Sequence, residues 1–195
     1  MGSAVLFENK LCTMPRFIAF LRAINVGGHN VRMEHLRQLF VSIGFSNVET
    51  FIASGNVVFE STSKNAQVLE RKIESRLREE LGYEVATFIR TDAELAAIAN
   101  YRAFRQSELD AAVALNIALL DEPLNDTAKQ KLLALRTEID DFHLHEREIY
   151  WLCRRKQSES TFSNAVLEKT LGRKSTLRGA NTINKMAAKY SPSKP

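Results

Sequence analysis

The stretch RFIAFLRAI, from Arg16 to Ile24, decides the fold of this chain. Nearly every residue in it is apolar, which is typical of a strand that is buried on both faces of a sheet. The loop from Asn25 to Asn30 breaks the run with two glycines, and apolar residues then recur at helical spacing as far as Gly44. A buried strand that leads directly into an amphipathic helix indicates a mixed α and β domain.

The elements that follow repeat one order twice along the chain. The first half continues with a strand at 48–53, a turn, a return strand at 57–60, a helix at 66–81 and a strand from Tyr83 to Ile89. The second half has a strand at 113–120, a helix capped by Asp126 or Thr127, a hairpin of 140–145 and 148–153, a helix at 163–171, an extended piece at 174–177 and a last helix at 181–190. The sequence therefore predicts an α+β protein with two ferredoxin-like β-α-β-β-α-β halves and a C-terminal helix.

We divide the chain into four segments on this pattern. Residues 1–13 precede the first strand pattern, and we expect them to be a disordered extension or a tag remnant. Residues 14–91 form the N-terminal ferredoxin-like half, and residues 92–110 form a helical connector. Residues 111–195 form the C-terminal half together with the terminal helix.

The composition favours a folded cytoplasmic protein. The chain is 45% hydrophobic and carries 11 Phe, which is enough for a packed core. Its two cysteines, Cys12 and Cys153, are too few for a disulfide framework, and its four histidines lack the spacing of a metal site, so we predict no metal and no cofactor. The N-terminal apolar run stops at Phe7, so we predict neither a signal peptide nor a membrane helix. We expect a monomer or a homodimer.

The positive charge of the chain lies in its last quarter. The net charge is +4, and the residues from Arg154 onward contain ten Lys or Arg against two Glu. That segment is therefore +8 and the rest of the chain is −4. An excess of this size favours an anionic ligand or partner.

Four stretches of the chain form three motifs in order. The first is Phe20 to Gly28 (FLRAINVGG), the second is Phe51 to Phe59 (FIASGNVVF), and the third combines Phe162-Ser163-Asn164 with Arg178 to Ile183 (RGANTI). In these motifs and their order the chain resembles a known bacterial family, the one catalogued as domain of unknown function 1697. The resemblance implies the fold and the positions of a site, but no reaction, because the family has no assigned role. The family usually has an aromatic residue where this chain has Ala180, so any stacking of that ring on a ligand is lost here.

Two loops are candidate ligand-binding elements. Asn25, Gly27 and Gly28 lie between a strand and a helix, where exposed backbone N–H groups favour an anion. Ser54 and Asn56 offer a hydroxyl and an amide at the hairpin turn. The alternative for both loops is a tight turn that uses glycine and asparagine only for their backbone freedom.

The start of the last helix is a third candidate. Asn181 is a candidate N-cap, Arg178 precedes it, and Thr182 and Lys185 share one helix face. A guanidinium, an amide, a hydroxyl and an amine at one helix start suit a phosphate or a carboxylate. The alternative is a capped surface helix with solvated basic side chains.

Arg22 is the charged residue of the first apolar strand, and burial would require it to have a partner. One interpretation is a salt bridge across the interface between the halves, and the other is an anion site beside the glycine loop. His143 and His145 share one strand face, but no third metal ligand accompanies them.

Three functions remain open on these observations. The first is binding of a small anionic or phosphate-bearing ligand in a cleft between the halves, whether as an enzyme or as a binding module. The second is nucleic-acid binding through Phe17 or Phe20 and Phe59, on the two central strands of the first half. The third is a structural or protein-interaction role through an exposed apolar patch.

Overall fold

The computed structural model describes residues 14–25, 28–52 and 55–192. The predictions for residues 1–13, for Gly27 and for Ser54 lie outside the described residues. No helix of the described part of the chain is long and apolar enough to cross a membrane.

The elements follow the predicted order in both halves. The first half consists of β1 (Arg16–Leu21), α1 (Met33–Ser42), β2 (Ser46–Phe51), β3 (Asn56–Glu60), α2 (Ala66–Leu81) and β4 (Thr87–Thr91). The helices α3 (Asp92–Asn100) and α4 (Gln106–Asp110) follow. The second half consists of β5 (Ala114–Leu119), α5 (Asp126–Leu133), β6 (Asp140–His145), β7 (Glu148–Cys153), α6 (Asn164–Leu171), β8 (Thr176–Gly179) and α7 (Ala180–Tyr190), with one 3-10 turn at Gln157–Glu159.

Each half forms a four-stranded antiparallel sheet with the same strand order. The first sheet is ordered β2-β3-β1-β4 and the second β6-β7-β5-β8, which is the ferredoxin-like order in both cases. The α+β class, the two similar halves and the C-terminal helix are thus confirmed.

The strand β1 is buried on both faces, as its sequence predicts. Phe17, Ala19 and Leu21 pack into the core beneath α1 and α2. Ile18 and Phe20 pack on the opposite face, in a core that also contains residues of α3, α7 and the second sheet. This shared core joins the two halves, so α3 packs against α7 and is more than a connector.

The strand registers define which residues of the two halves are equivalent. Phe20 pairs with Asn56 on one side and Phe88 on the other, and Leu119 pairs with Glu148 and Thr176 in the same way. We call residues register-equivalent when they occupy the same place in these two pairings. A backbone bond repeats with them, because Leu21 N–H donates to Gly55 O at 2.8 Å and Leu120 N–H donates to Arg147 O at 3.0 Å.

Some element boundaries differ from the sequence predictions. β4 spans Thr87–Thr91 and so ends two residues beyond Ile89. Asn125 caps α5 in place of Asp126 or Thr127, since its side chain accepts from Ala128 N–H. The prediction that Asn181 caps the last helix is wrong: β8 pairs as far as Gly179, and the chain enters α7 directly after it. Gly179 is therefore the N-cap.

Candidate functional site

Arg178 lies at the interface between the halves and is 9% exposed. Its Nε donates to Asn56 Oδ1 at 2.6 Å, and its Nη2 donates to the carbonyls of Leu21 at 3.0 Å and Gly55 at 3.4 Å. Its Nη1 donates to Leu177 O at 2.8 Å and also to the Thr176 hydroxyl. Arg178 of the second half is thus hydrogen-bonded to the end of β1 and to the start of β3 in the first half.

Arg90 is register-equivalent to Arg178 and makes matching contacts from the first half to the second. The bond from Arg178 to the Thr176 hydroxyl has no counterpart, because Phe88 takes the place of Thr176. Arg90 Nε donates to Glu148 Oε1 at 2.7 Å. Its Nη2 donates to Leu120 O at 2.9 Å and Arg147 O at 3.5 Å, and its Nη1 donates to Ile89 O at 2.8 Å. Each acceptor is register-equivalent to one of the acceptors of Arg178, so the halves exchange two matching arginine contacts.

The two contacts differ in the side chain that accepts from Nε. Glu148 gives Arg90 a carboxylate, whereas Asn56, at the register-equivalent position, gives Arg178 a neutral amide. The acceptors of Arg178 named above are all neutral oxygen atoms, and burial lowers the pKa of Arg178 to about 10. Burial also lowers the pKa of Arg90, and the carboxylate of Glu148 opposes that effect.

The helices that follow the two arginines start in different ways. α3 begins with a complete capping box, in which Glu94 N–H donates to Thr91 Oγ1 at 3.1 Å and Thr91 N–H donates to Glu94 Oε2 at 2.8 Å. Arg147 donates to the other oxygen of Glu94 at 2.6 Å. At α7 the N-cap is Gly179, and among the described residues no side chain caps this helix. Thr182 is the third residue of α7 and takes the place of Glu94.

Arg22 is committed to an ion pair. It lies just after β1, and its Nε and Nη2 donate to the two carboxylate oxygens of Glu168 at 2.6 and 2.5 Å. Burial raises the pKa of Glu168, but hydrogen bonds from Arg22 and from Ser175 N–H outweigh it and hold that pKa below its ordinary value. Because Glu168 lies on α6 of the second half, the salt-bridge interpretation of Arg22 is the one that the structure confirms.

The other predicted residues fall into a loop and a helix face. Asn25 Oδ1 accepts from Val31 N–H at 2.8 Å, and Gly28 has a φ of +88°. Asn181 and Lys185 are exposed on α7, and Thr182 is half-buried there. These positions leave the start of α7 open to solvent.

The predicted residues come together only in part. Arg178 contacts Asn56 and the carbonyl of Leu21, the residue before Arg22, so both arginines lie near the C-terminal end of β1. Eight of the ten predicted residues belong to the part of the chain that the structure describes, and these eight line neither the cleft along α2 and β4 nor the cleft beside β2. One of those clefts, of about 730 Å³, does lie between the halves, but it runs along α2 and β4.

Several observations bear on the other sequence predictions. The rings proposed to stack on nucleic-acid bases are buried, since Phe17, Phe20 and Phe59 are at most 1% exposed. Within the described residues no cluster of three His, Cys, Asp or Glu is arranged to hold a metal ion. His143 instead lies 2.8 Å from the Tyr101 hydroxyl through Nε2.

Sequence reasoning missed the residues whose partners come from the other half. Arg90, Glu94, Glu148 and Glu168 each depend on a contact more than 50 residues away. The one local signal was the capping pattern from Thr91 to Glu94, which marks where the helix after Arg90 begins.

Comparison with known proteins agrees with this fold. No curated protein matches the chain. The solved structure of the conserved bacterial protein SP0830 from Streptococcus pneumoniae is similar, with a TM-score of 0.75 and 22% sequence identity over 91% of this chain and 99% of that chain. A family model matches residues 14–150, which include the first two quoted motifs but not the third. The chain belongs to the family described as Protein of unknown function (DUF1697).

Proposed function

We propose that the protein binds a small anionic ligand, bearing a phosphate or a carboxylate, at the start of α7. The observation that carries this proposal is the contrast between the two helix starts. α3 holds the carboxylate of Glu94 at its N-terminus, and α7 has Thr182 at the same place behind a glycine N-cap. A helix start with free N–H groups favours an anion, and here the ligand supplies the charge that Glu94 supplies in the first half.

The local charge supports the same ligand class. Around α3 the two cations Arg90 and Arg147 balance the two anions Glu94 and Glu148. The register-equivalent residues of the second half, listed in the same order, are Arg178, Gly55, Thr182 and Asn56. That set carries one positive charge, and a net positive set of side chains favours an anion nearby.

The side chains on α7 give the ligand hydrogen-bond donors. Thr182 offers a hydroxyl at the helix start, and Lys185 lies one turn further along the same face. Gly179 and Ala180 precede them and carry no long side chain that could extend over the helix start. Arg178 is fully engaged at the interface, so it acts on the ligand through its charge and the position of the helix.

Thermal-shift measurement with phosphate, sulfate and small carboxylates tests the proposal. The blocking variant is Gly179→Thr with Thr182→Glu, which builds the capping box of α3 at α7. Asn184→Glu is the matched control, because it adds the same charge to α7 on a different face. At about 100 times the Kd, an anion should raise the wild-type and control midpoints by roughly 5 °C or more.

The blocking variant should show no such response, because its own carboxylate occupies the site. Its midpoint without ligand should rise, since an added cap contributes about 1 kcal/mol. The proposal fails if no anion stabilises the wild type, or if the blocking variant responds as the wild type does.

A further inference from the structure

The cleft of about 730 Å³ between the halves has an acidic floor. Glu70 and Glu74 of α2 and Thr87 of β4 line it from the first half, and Asp121, in the loop after β5, lines it from the second. Glu70 Oε1 accepts from Ile89 N–H at 2.9 Å and Glu74 Oε1 accepts from Thr87 N–H at 2.8 Å. β4 is an edge strand, and each of the two carboxylates uses one oxygen to accept a hydrogen bond from its outward-facing N–H groups.

The register relates this cleft to the ion pair of Arg22. Glu168 accepts from Ser175 N–H at 2.8 Å, and Ser175 is register-equivalent to Thr87, so Glu168 and Glu74 play the same part in their halves. In one half, the guanidinium of Arg22 lies against Glu168. In the other half, the residue that follows the strand in place of Arg22 is Asp121. The second half therefore has the carboxylate of Asp121 at the position where the first half has the guanidinium of Arg22.

A buried hydroxyl in the same cleft points independently to a ligand. Thr87 is 4% exposed, and among the described residues its Oγ1 has no hydrogen-bond partner. The hydroxyl of Ser175, its register-equivalent, donates to Asn164 Oδ1 at 2.8 Å. A buried polar atom without a partner is unfavourable unless something else satisfies it. Burial raises the pKa of Glu70, and the nearby charge of Glu74 adds to that rise.

The cations around the cleft are paired at its exposed rim. Lys174 lies 3.1 Å from Glu84, and Arg173 lies 3.5 Å from Asp121. Arg71 and Arg78 also line the cleft, and Arg71 Nε donates to Gln67 O within its own helix. The lining residues include five carboxylates and three cations, and Arg173 beside them is a fourth cation, so one added cation balances the charge.

We propose that this cleft binds a small organic cation with a guanidinium group, held by Glu74 as Glu168 holds Arg22. Thr87 Oγ1 accepts a hydrogen bond from the ligand, and Glu70 lies beside it on the same helix face. Guanidinium is favoured over a point charge because its planar fork matches a carboxylate with two parallel bonds, as at Glu168. This site is separate from the anion site at α7, and neither proposal depends on the other.

Isothermal titration calorimetry with agmatine tests the inference, with 1,4-diaminobutane as the cation that lacks guanidinium. Glu74→Gln keeps an oxygen that can accept from Thr87 N–H but removes the charge, and it should weaken agmatine binding about tenfold or more. Glu79→Gln, which removes a charge from α2 outside the cleft lining, should leave binding unchanged.

Asp121→Arg is a second variant that does not depend on the behaviour of Glu74→Gln. It places a guanidinium where Arg22 stands in the other half, so it should abolish agmatine binding and raise the unfolding temperature. The proposal is overturned if agmatine fails to bind the wild type, if diaminobutane binds equally well, or if either cleft variant binds agmatine as the wild type does.

Discussion

Replacing Glu148 with asparagine would give Arg90 the same kind of acceptor that Arg178 has in Asn56. The structure sets the expected magnitude, because Arg178 shows what burial does to a guanidinium whose Nε donates to an amide oxygen. Burial lowers its pKa from the ordinary value of a guanidinium to about 10. At about 1.4 kcal/mol per pKa unit, that difference corresponds to roughly 3 kcal/mol against the buried cation.

Because burial already lowers the pKa of Arg90 with Glu148 in place, we expect Glu148→Asn to lower the free energy of unfolding by at most about 3 kcal/mol. For a chain of this length the midpoint should fall by no more than roughly 6 to 12 °C. Urea unfolding followed by circular dichroism measures the first quantity, and calorimetry measures the second.

The control is Glu34→Gln, which breaks an ion pair of similar length on the surface. Arg37 lies 2.6 Å from Glu34, but both side chains are exposed, so we expect no measurable change. Should Glu148→Asn be as mild as the control, the carboxylate would contribute no more than an amide. The contrast between the two arginine contacts would then carry no energetic meaning.

Three further predictions concern other parts of the fold. In urea unfolding, Gly55→Ala should lower the free energy of unfolding by about 2 kcal/mol or more, and Gly28→Ala by about 1 kcal/mol. Both glycines have a positive φ, but only at Gly55 would an added Cβ lie 2.8 Å from another side chain. Equal losses in the two variants would contradict this. Arg22→Met should be less stable than the wild type at pH 7 but equally stable below the depressed pKa of Glu168. The ion pair stabilises the wild type only while Glu168 is ionised, so its contribution is lost as the pH falls through that pKa. A stability difference between the two proteins that persists in acid would refute this. Burial lowers the pKa of His143, so acidification through the ordinary value of 6.5 should destabilise the wild type more than His143→Gln, and parallel pH profiles would argue against this.

The fold could be predicted from the sequence because its signals are local. The apolar run of β1, the helix at 66–81 and the hairpin strands 140–145 and 148–153 all appear in the structure at or near the expected residues. Hydrophobic period and turn chemistry specify such elements without knowledge of their partners. The observed boundaries differ from the predicted ones where strand pairing determines them. At Gly179, for example, the pairing with Asn116 fixes the end of β8.

The contacts between the two halves could not be predicted in this way. The halves share element order without evident residue identity, so only the strand register shows that Arg90 corresponds to Arg178. The partner of Arg22 is 146 residues away, and no local pattern marks Glu168 as that partner. Long-range contacts of this kind depend on how the halves pack, and the packing is a property of the whole chain.

An anion bound at the start of α7 should change the amide chemical shifts of that helix during a titration with inorganic phosphate. We expect saturable shifts for the backbone N–H groups of Asn181 and Thr182, with a smaller change at Arg178 Nε–H. These shifts should disappear in the Gly179→Thr, Thr182→Glu variant. Shifts that do not saturate, or that spread over exposed lysines and leave α7 unchanged, would contradict the proposed binding.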